Sequence, residues 1–162
     1  MIFIHPTASV SPNADIEDSV RGTRIVIGEN SFIDSFVKIK PVGGVGDVVL
    51  GSGTMINSGT VIYSGNGITI GSNVAIASNC TLAPVNHAYQ DRSRLLNEQG
   101  FLPSKGGIVI EDDVWIGANC VLLDGSILRR GVVVGAGSLV RGELLADGIY
   151  VGNPIQCKGF RT

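Results

Sequence analysis

Residues 110–140 read Ile110-Glu111-Asp112-Asp113-Val114-Trp115-Ile116-Gly117-Ala118-Asn119-Cys120-Val121-Leu122-Leu123-Asp124-Gly125-Ser126-Ile127-Leu128-Arg129-Arg130-Gly131-Val132-Val133-Val134-Gly135-Ala136-Gly137-Ser138-Leu139-Val140. Ile110, Ile116, Leu122, Leu128, Val134 and Val140 fall six residues apart without a break. Working outward, the same interval links Ile4, Val10 and Ile16; Ile27, Ile33 and Ile39; Leu50, Ile56 and Ile62; and Ile70, Ile76 and Leu82. All 18 anchors are Ile, Val or Leu. A helical period of about 3.6 or a strand period of 2 does not give this spacing. A six-residue repeat is the mark of a parallel β-helix, in which each hexad supplies one short strand and one turn. Taken in threes, the anchors predict an all-β single domain of about six triangular coils. At about 4.8 Å per coil the prism stands roughly 30 Å tall. Stacking makes its core, because one coil cannot bury its own face.

Composition agrees. Glycine is 23 of 162 residues, about twice the usual share of roughly 7%. Charged residues are only 16%, against about 25% in typical domains. Glycine follows an anchor at Gly28, Gly51, Gly71, Gly117 and Gly135, where turns crowd the backbone or need unusual dihedrals. The net charge of −2 and the lack of a basic run argue against nucleic acid or an anionic membrane as partner. No segment approaches the ~20 apolar residues of a membrane span. The first residues show no charged leader ahead of a long apolar stretch, so a cytoplasmic location is expected. Cys80, Cys120 and Cys157 are too scattered for a disulfide framework or a zinc site, and no metal is expected.

The register breaks in four places, each read as an outward bulge: around 21–26, 43–49, 67–69 and, longest, 88–107. A loop of that last length in a compact domain is usually functional or disordered. Its Leu95, Leu96 and Phe101 favour function and predict that it packs on something. The domain reading is a β-helix over 1–145 with the inserted loop 88–107, and a closing segment over 146–162. His87 stands where the hexads stop and the loop begins, in Pro84-Val85-Asn86-His87-Ala88. An imidazole with a pKa near 6.5 suits a general base at neutral pH; a structural histidine is the competing reading. Gly135-Ala136-Gly137 lacks the third glycine and the helix of a dinucleotide fingerprint, and is one more coil.

The chain resembles the hexapeptide-repeat acyltransferases, in the branch with galactoside, maltose and xenobiotic acetyltransferases and polysaccharide-modifying relatives. The resemblance rests on Asn86-His87 before a loop, then Val114-Trp115-Ile116-Gly117, Gly135-Ala136-Gly137-Ser138 and Gly152-Asn153-Pro154, in that order. It implies a left-handed β-helix, against the usual right-handed crossover rule, and a homotrimer with acetyl-CoA bound between two subunits. By the same resemblance His87 is the catalytic base. Asn57, Asn86 and Trp115 meet the acceptor, and Ala118, Ala136 and Gly137 touch the pantetheine arm and adenine region. Where relatives often have Thr-Lys, this chain has Arg141-Gly142. Arg141 is assigned to a CoA phosphate as a bidentate donor, with Lys158 and Arg161 as substitutes for the family's basic tail. The expected reaction is O-acetylation of a sugar hydroxyl on a surface polysaccharide or saccharide. The alternatives are N-acetylation of a nucleotide-linked amino sugar, antibiotic acetylation and a non-catalytic scaffold. The zinc-dependent carbonic anhydrases of this solenoid need three histidines per metal; His5 and His87, far apart in the stack, cannot supply them.

Overall fold

The computed structural model describes residues 1–162. The first coil is β1 (Ile2–Ile4), β2 (Ser9–Val10) and β3 (Asp15–Ile16). The second is β4 (Ile25–Ile27), β5 (Phe32–Ile33) and β6 (Lys38–Lys40), and the third β7 (Val48–Leu50), β8 (Met55–Ile56) and β9 (Val61–Tyr63). The fourth is β10 (Ile68–Ile70), β11 (Ala75–Ile76) and β12 (Thr81–Ala83), and the fifth β13 (Ile108–Ile110), β14 (Trp115–Ile116) and β15 (Val121–Leu123). The sixth is β16 (Ser126–Leu128), β17 (Val133–Val134) and β18 (Leu139–Val140). Two more strands continue the parallel stack, β19 (Glu143–Leu144) and then β20 (Gly148–Val151), which carries it past residue 145, and β21 (Gln156–Phe160) folds back antiparallel on β20. First, second and third strands of the coils form sheets A, B and C, of seven, eight and six strands.

The register sets anchor on anchor: Ile33 pairs with Ile56, and Ile76 with Ile116. From the second coil onward every anchor is at most 1% exposed. Each such side chain contributes about 1.5–3 kcal/mol by leaving water. The first coil differs: Ile4 is 45% exposed, and Val10 and Ile16 are half-buried, because nothing stacks beneath them. From the second coil onward the residue four after a first or second anchor is buried too, and where it is polar it bonds the next coil. Thr54 Oγ1 donates to the Gly71 carbonyl at 2.8 Å, and Cys80 and Cys120 Sγ reach the Gly117 and Gly135 carbonyls at 3.3 Å. The two cysteines thus stand in for hydroxyls. Cys120 beside it and burial together push the Cys80 thiol above its ordinary range.

Glycine after an anchor answers to crowding. A Cβ on Gly28 would lie 2.6 Å from the Gly51 backbone, and one on Gly117 2.6 Å from the Ala136 nitrogen. The left-handed residue of the turn comes two positions later, at Asn30, Gly53, Gly59, Asn73, Asn79, Asp113, Asn119, Gly131 and Gly137. At the same position Phe36 holds φ 62° with its ring 67% exposed. A left-handed L-residue costs about 1–2 kcal/mol, and Asn relieves part of that. Phe36→Asn will therefore raise stability by about 1 kcal/mol, read as a higher urea midpoint at unchanged slope. A lower midpoint would show contacts of the ring that outweigh its backbone strain.

All four breaks in the hexad register fall on one edge. Residues 17–24, 41–47, 64–67 and 84–107 each join the third strand of a coil to the first strand of the next. One long edge of the prism, between sheets C and A, therefore carries every bulge. Glycines let the bulges stack: a Cβ on Gly44 or Gly46 would meet the backbone of Gly65 or Gly67. No helix is long and apolar enough to cross a membrane.

Candidate functional site

His87 lies on the C/A edge in the fourth coil, just after β12. Its backbone pairs with Phe101, which returns from the far end of the long loop. The two rings pack with centroids 4.7 Å apart at 50°. Leu102 N donates to Asn86 O at 2.7 Å and Ala88 N to Gly100 O at 3.0 Å, closing the loop at its neck. The His87 side chain is exposed, and no protein hydrogen bond occupies either ring nitrogen. Either is therefore free to take a proton from a molecule arriving from outside.

The loop is ordered mainly by its own polar groups. Asp91 Oδ1 accepts from Ser93 N and Oγ at 2.9 and 2.6 Å, which holds its carboxyl below the ordinary range. Gln99 accepts from Asp91 N at 3.0 Å and donates to Asp91 O at 2.9 Å. A single 3-10 turn spans Leu96–Glu98. Of the three apolar residues expected to pack the loop on something, Phe101 packs on His87, while Leu95 and Leu96 are 66% and 65% exposed. What fixes the loop's return is Asp124, which sequence reasoning missed. It is only 5% exposed and accepts from Lys105 N at 2.7 Å, Gly107 N at 2.9 Å and Asn66 Nδ2 at 3.3 Å. The signal was present: Asp124 follows the third anchor of its coil by two residues, on the edge that carries the loops.

His87 lines two cavities. The one toward the C-terminal coils, about 420 Å³, has Asn86, Tyr89, Leu102, Lys105, Leu123 and Arg141 around it. Arg141 follows β18 two coils above His87, about 10 Å at one strand spacing per coil. The other cavity, about 380 Å³, lies on the N-terminal side among Val42, Tyr63, Ala83, Val85 and Phe101. His87 thus stands at a seam between a polar and an apolar space.

The remaining residues singled out from the sequence gather elsewhere. Asn57 is half-buried on the B/C edge and donates its Nδ2 to Ile76 O at 2.8 Å. Ala118, Ala136 and Gly137 stack above it on that edge, with Gly137 N donating to Ala118 O at 2.8 Å. Trp115 is 53% exposed on the outer face of sheet B, between Ala75 and Val133. In sequence His87 and Trp115 flank the same gap; in the fold a corner separates them, because the chain turns from sheet A to sheet B before reaching Trp115. Lys158 is exposed on β21 and donates to Gln156 Oε1 at 3.0 Å. Arg161 is engaged by Asp113 Oδ2 and Gly131 O, both at 3.0 Å, and so fastens the tail. One chain therefore brings Asn86, His87 and Arg141 together on the C/A edge, and Asn57, Ala118, Ala136 and Gly137 on the B/C edge beside Trp115, with sheet C between.

Residues 107–142 match the family model of the bacterial transferase hexapeptide, in six repeats. The matched stretch spans the fifth and sixth coils. A 2,3,4,5-tetrahydropyridine-2,6-dicarboxylate N-acetyltransferase of Staphylococcus aureus is 40% identical over 60 residues, 37% of this chain and 24% of that protein. The chain thus matches about a quarter of the length of such curated relatives. Among solved structures, AntD, an N-acyltransferase from Bacillus cereus in complex with dTDP and 3-hydroxybutyryl-CoA, superposes with TM-score 0.82 at 24% identity over 99% of this chain and 83% of that one. A maltose O-acetyltransferase from Clostridium difficile gives TM-score 0.56 at 22% identity over 97% and 68%. The fold is a left-handed parallel β-helix.

Proposed function

We propose that this protein is an acyl-CoA-dependent acyltransferase with His87 as general base, and that it acylates the amine of a nucleotide-linked amino sugar. The carrying observation is His87 itself, an imidazole with free nitrogens between two cavities, one of them bearing Lys105 and Arg141. In the reaction the acceptor nitrogen attacks the thioester carbonyl while His87 takes a proton from it. The C–N bond forms, the C–S bond breaks, and the imidazolium returns its proton to the departing CoA sulfur. Lys105 and Arg141 offer cations to the CoA phosphates, Arg141 as a planar fork.

The choice of an amine over a sugar hydroxyl rests on likeness in shape. An AntD variant binding dTDP-4-amino-4,6-dideoxyglucose and coenzyme A superposes over 99% of this chain and 84% of that one. This chain spans 84% of that AntD variant's length, which supports an acceptor of that class. O-acetylation of a sugar remains the second reading, on the weaker likeness to the maltose enzyme. A homotrimer fits the divided site, since a partner subunit's B/C edge set against this chain's C/A edge would join Asn57, Trp115, Ala118, Ala136 and Gly137 to His87 and Arg141.

The test is CoA-thiol release with dTDP-amino sugars and with free sugars as acceptors, followed by mild alkali on the product. An amide will survive and an ester will not. An amine must be neutral to attack, so the rate will climb with pH until the acceptor is deprotonated. An alkali-labile product formed only from hydroxyl acceptors would move the assignment to O-acylation.

A further inference from the structure

The two spaces that meet at His87 differ in chemistry. Above it Asn86, Lys105 and Arg141 supply an amide and two cations. Below it Val42, Ala83, Val85 and Phe101 are apolar, and Tyr63 brings the single hydroxyl. Val42 and Phe101 are 39% and 48% exposed, so this lower wall presents bare hydrocarbon with nothing from the chain to cover it. Its shape is set by backbone. Val85 rests on Gly43 and Gly65: a Cβ on Gly65 would lie 2.7 Å from Val85 Cγ1, and one on Gly43 3.1 Å from Val85 Cγ2.

We propose that the lower arm holds the hydrocarbon of an acyl group longer than acetyl, so that the preferred donor is an acyl-CoA with a longer chain. The inference rests on the acyltransferase reading above and adds the donor class. A CoA whose phosphates meet Lys105 and Arg141 runs down the polar arm, and its thioester must stop beside His87 to react. Whatever extends past the carbonyl then enters the space on the far side of the imidazole. A sugar or nucleotide placed there would leave hydroxyls or phosphates without partners against Val42, Ala83, Val85 and Phe101, which is unfavourable. Methylenes need no partners, and each one buried favours binding about fourfold. The acceptor approaches the exposed side of the ring.

The purified protein is assayed by thiol release with acetyl-, propionyl-, butyryl- and hexanoyl-CoA against one amino-sugar acceptor. From acetyl to butyryl, kcat/KM will rise about fourfold per methylene. Ala83→Leu and Val42→Phe narrow the arm from two walls, and each will lower the butyryl-to-acetyl ratio about tenfold. The ratio is taken within each variant, so a partial loss of folded protein cancels, and Val42 is exposed enough for its variant to fold. A preference that is flat or falls with chain length overturns the proposal. So does an unchanged ratio in both variants, and if acceptor KM rises instead, the arm belongs to the acceptor. If no acyl-CoA is turned over and calorimetry finds no CoA binding, the acyltransferase reading fails and the donor assignment falls with it.

Discussion

His87→Ala will lower kcat for acyl transfer about a thousandfold, within the range by which a positioned general base accelerates a reaction. No neighbour can take over. The other groups around the polar cavity are an amide, a phenol, aliphatic side chains and the cations of Lys105 and Arg141. The apolar cavity adds only the Tyr63 hydroxyl. The fold will not suffer, because His87 is exposed and its pairing with Phe101 runs through the backbone. Circular dichroism and melting will therefore match the wild type, and KM for the donor will change little. A loss of less than tenfold in kcat would return His87 to a structural role, packing against Phe101.

Asp124→Ala will have the second largest effect, on the long loop. Its carboxylate holds the loop's return by Lys105 N, Gly107 N and Asn66 Nδ2. A buried donor left without a partner costs about 1–3 kcal/mol. The loop will escape that cost by opening to water, and the stacked coils beneath it will stay paired. Trypsin cleavage at Arg92 or Arg94 will quicken about tenfold or more, while the main melting transition moves by only a few degrees. Activity will fall as well, since the loop delivers Phe101 to His87 and Leu102 and Lys105 to the polar cavity. Asp124→Asn, which keeps one acceptor oxygen, will fall between. Unchanged proteolysis in Asp124→Ala would show that the neck at Asn86, Ala88, Gly100 and Leu102 holds the loop unaided.

The coil was legible because one anchor per hexad buries on every turn, and a missing methylene at a buried Ile is felt at once. The turns were legible in part: glycine after the anchor was seen, while the left-handed residue two places on was not, although Asn30, Asn73, Asn79 and Asn119 all mark it. The shared edge of the bulges could also have been counted, since the breaks follow Ile16, Ile39, Ile62 and Leu82, the third anchor of each coil. Handedness could not, because a six-residue period is the same in either hand. Trp115 is near His87 along the chain apart from the loop yet one corner away in space, a separation that spacing alone does not show. Asp124 could be suspected from its place two residues after the third anchor Leu122, but its partners could not, since two of the three are backbone groups of the loop.

Acyl transfer is expected at His87, at the seam of the C/A edge. A crystal structure of the protein with coenzyme A tests it most directly. The CoA sulfur will lie beside the His87 imidazole and the phosphates within reach of Lys105 and Arg141. Coenzyme A seated elsewhere, with its sulfur remote from His87, would contradict it.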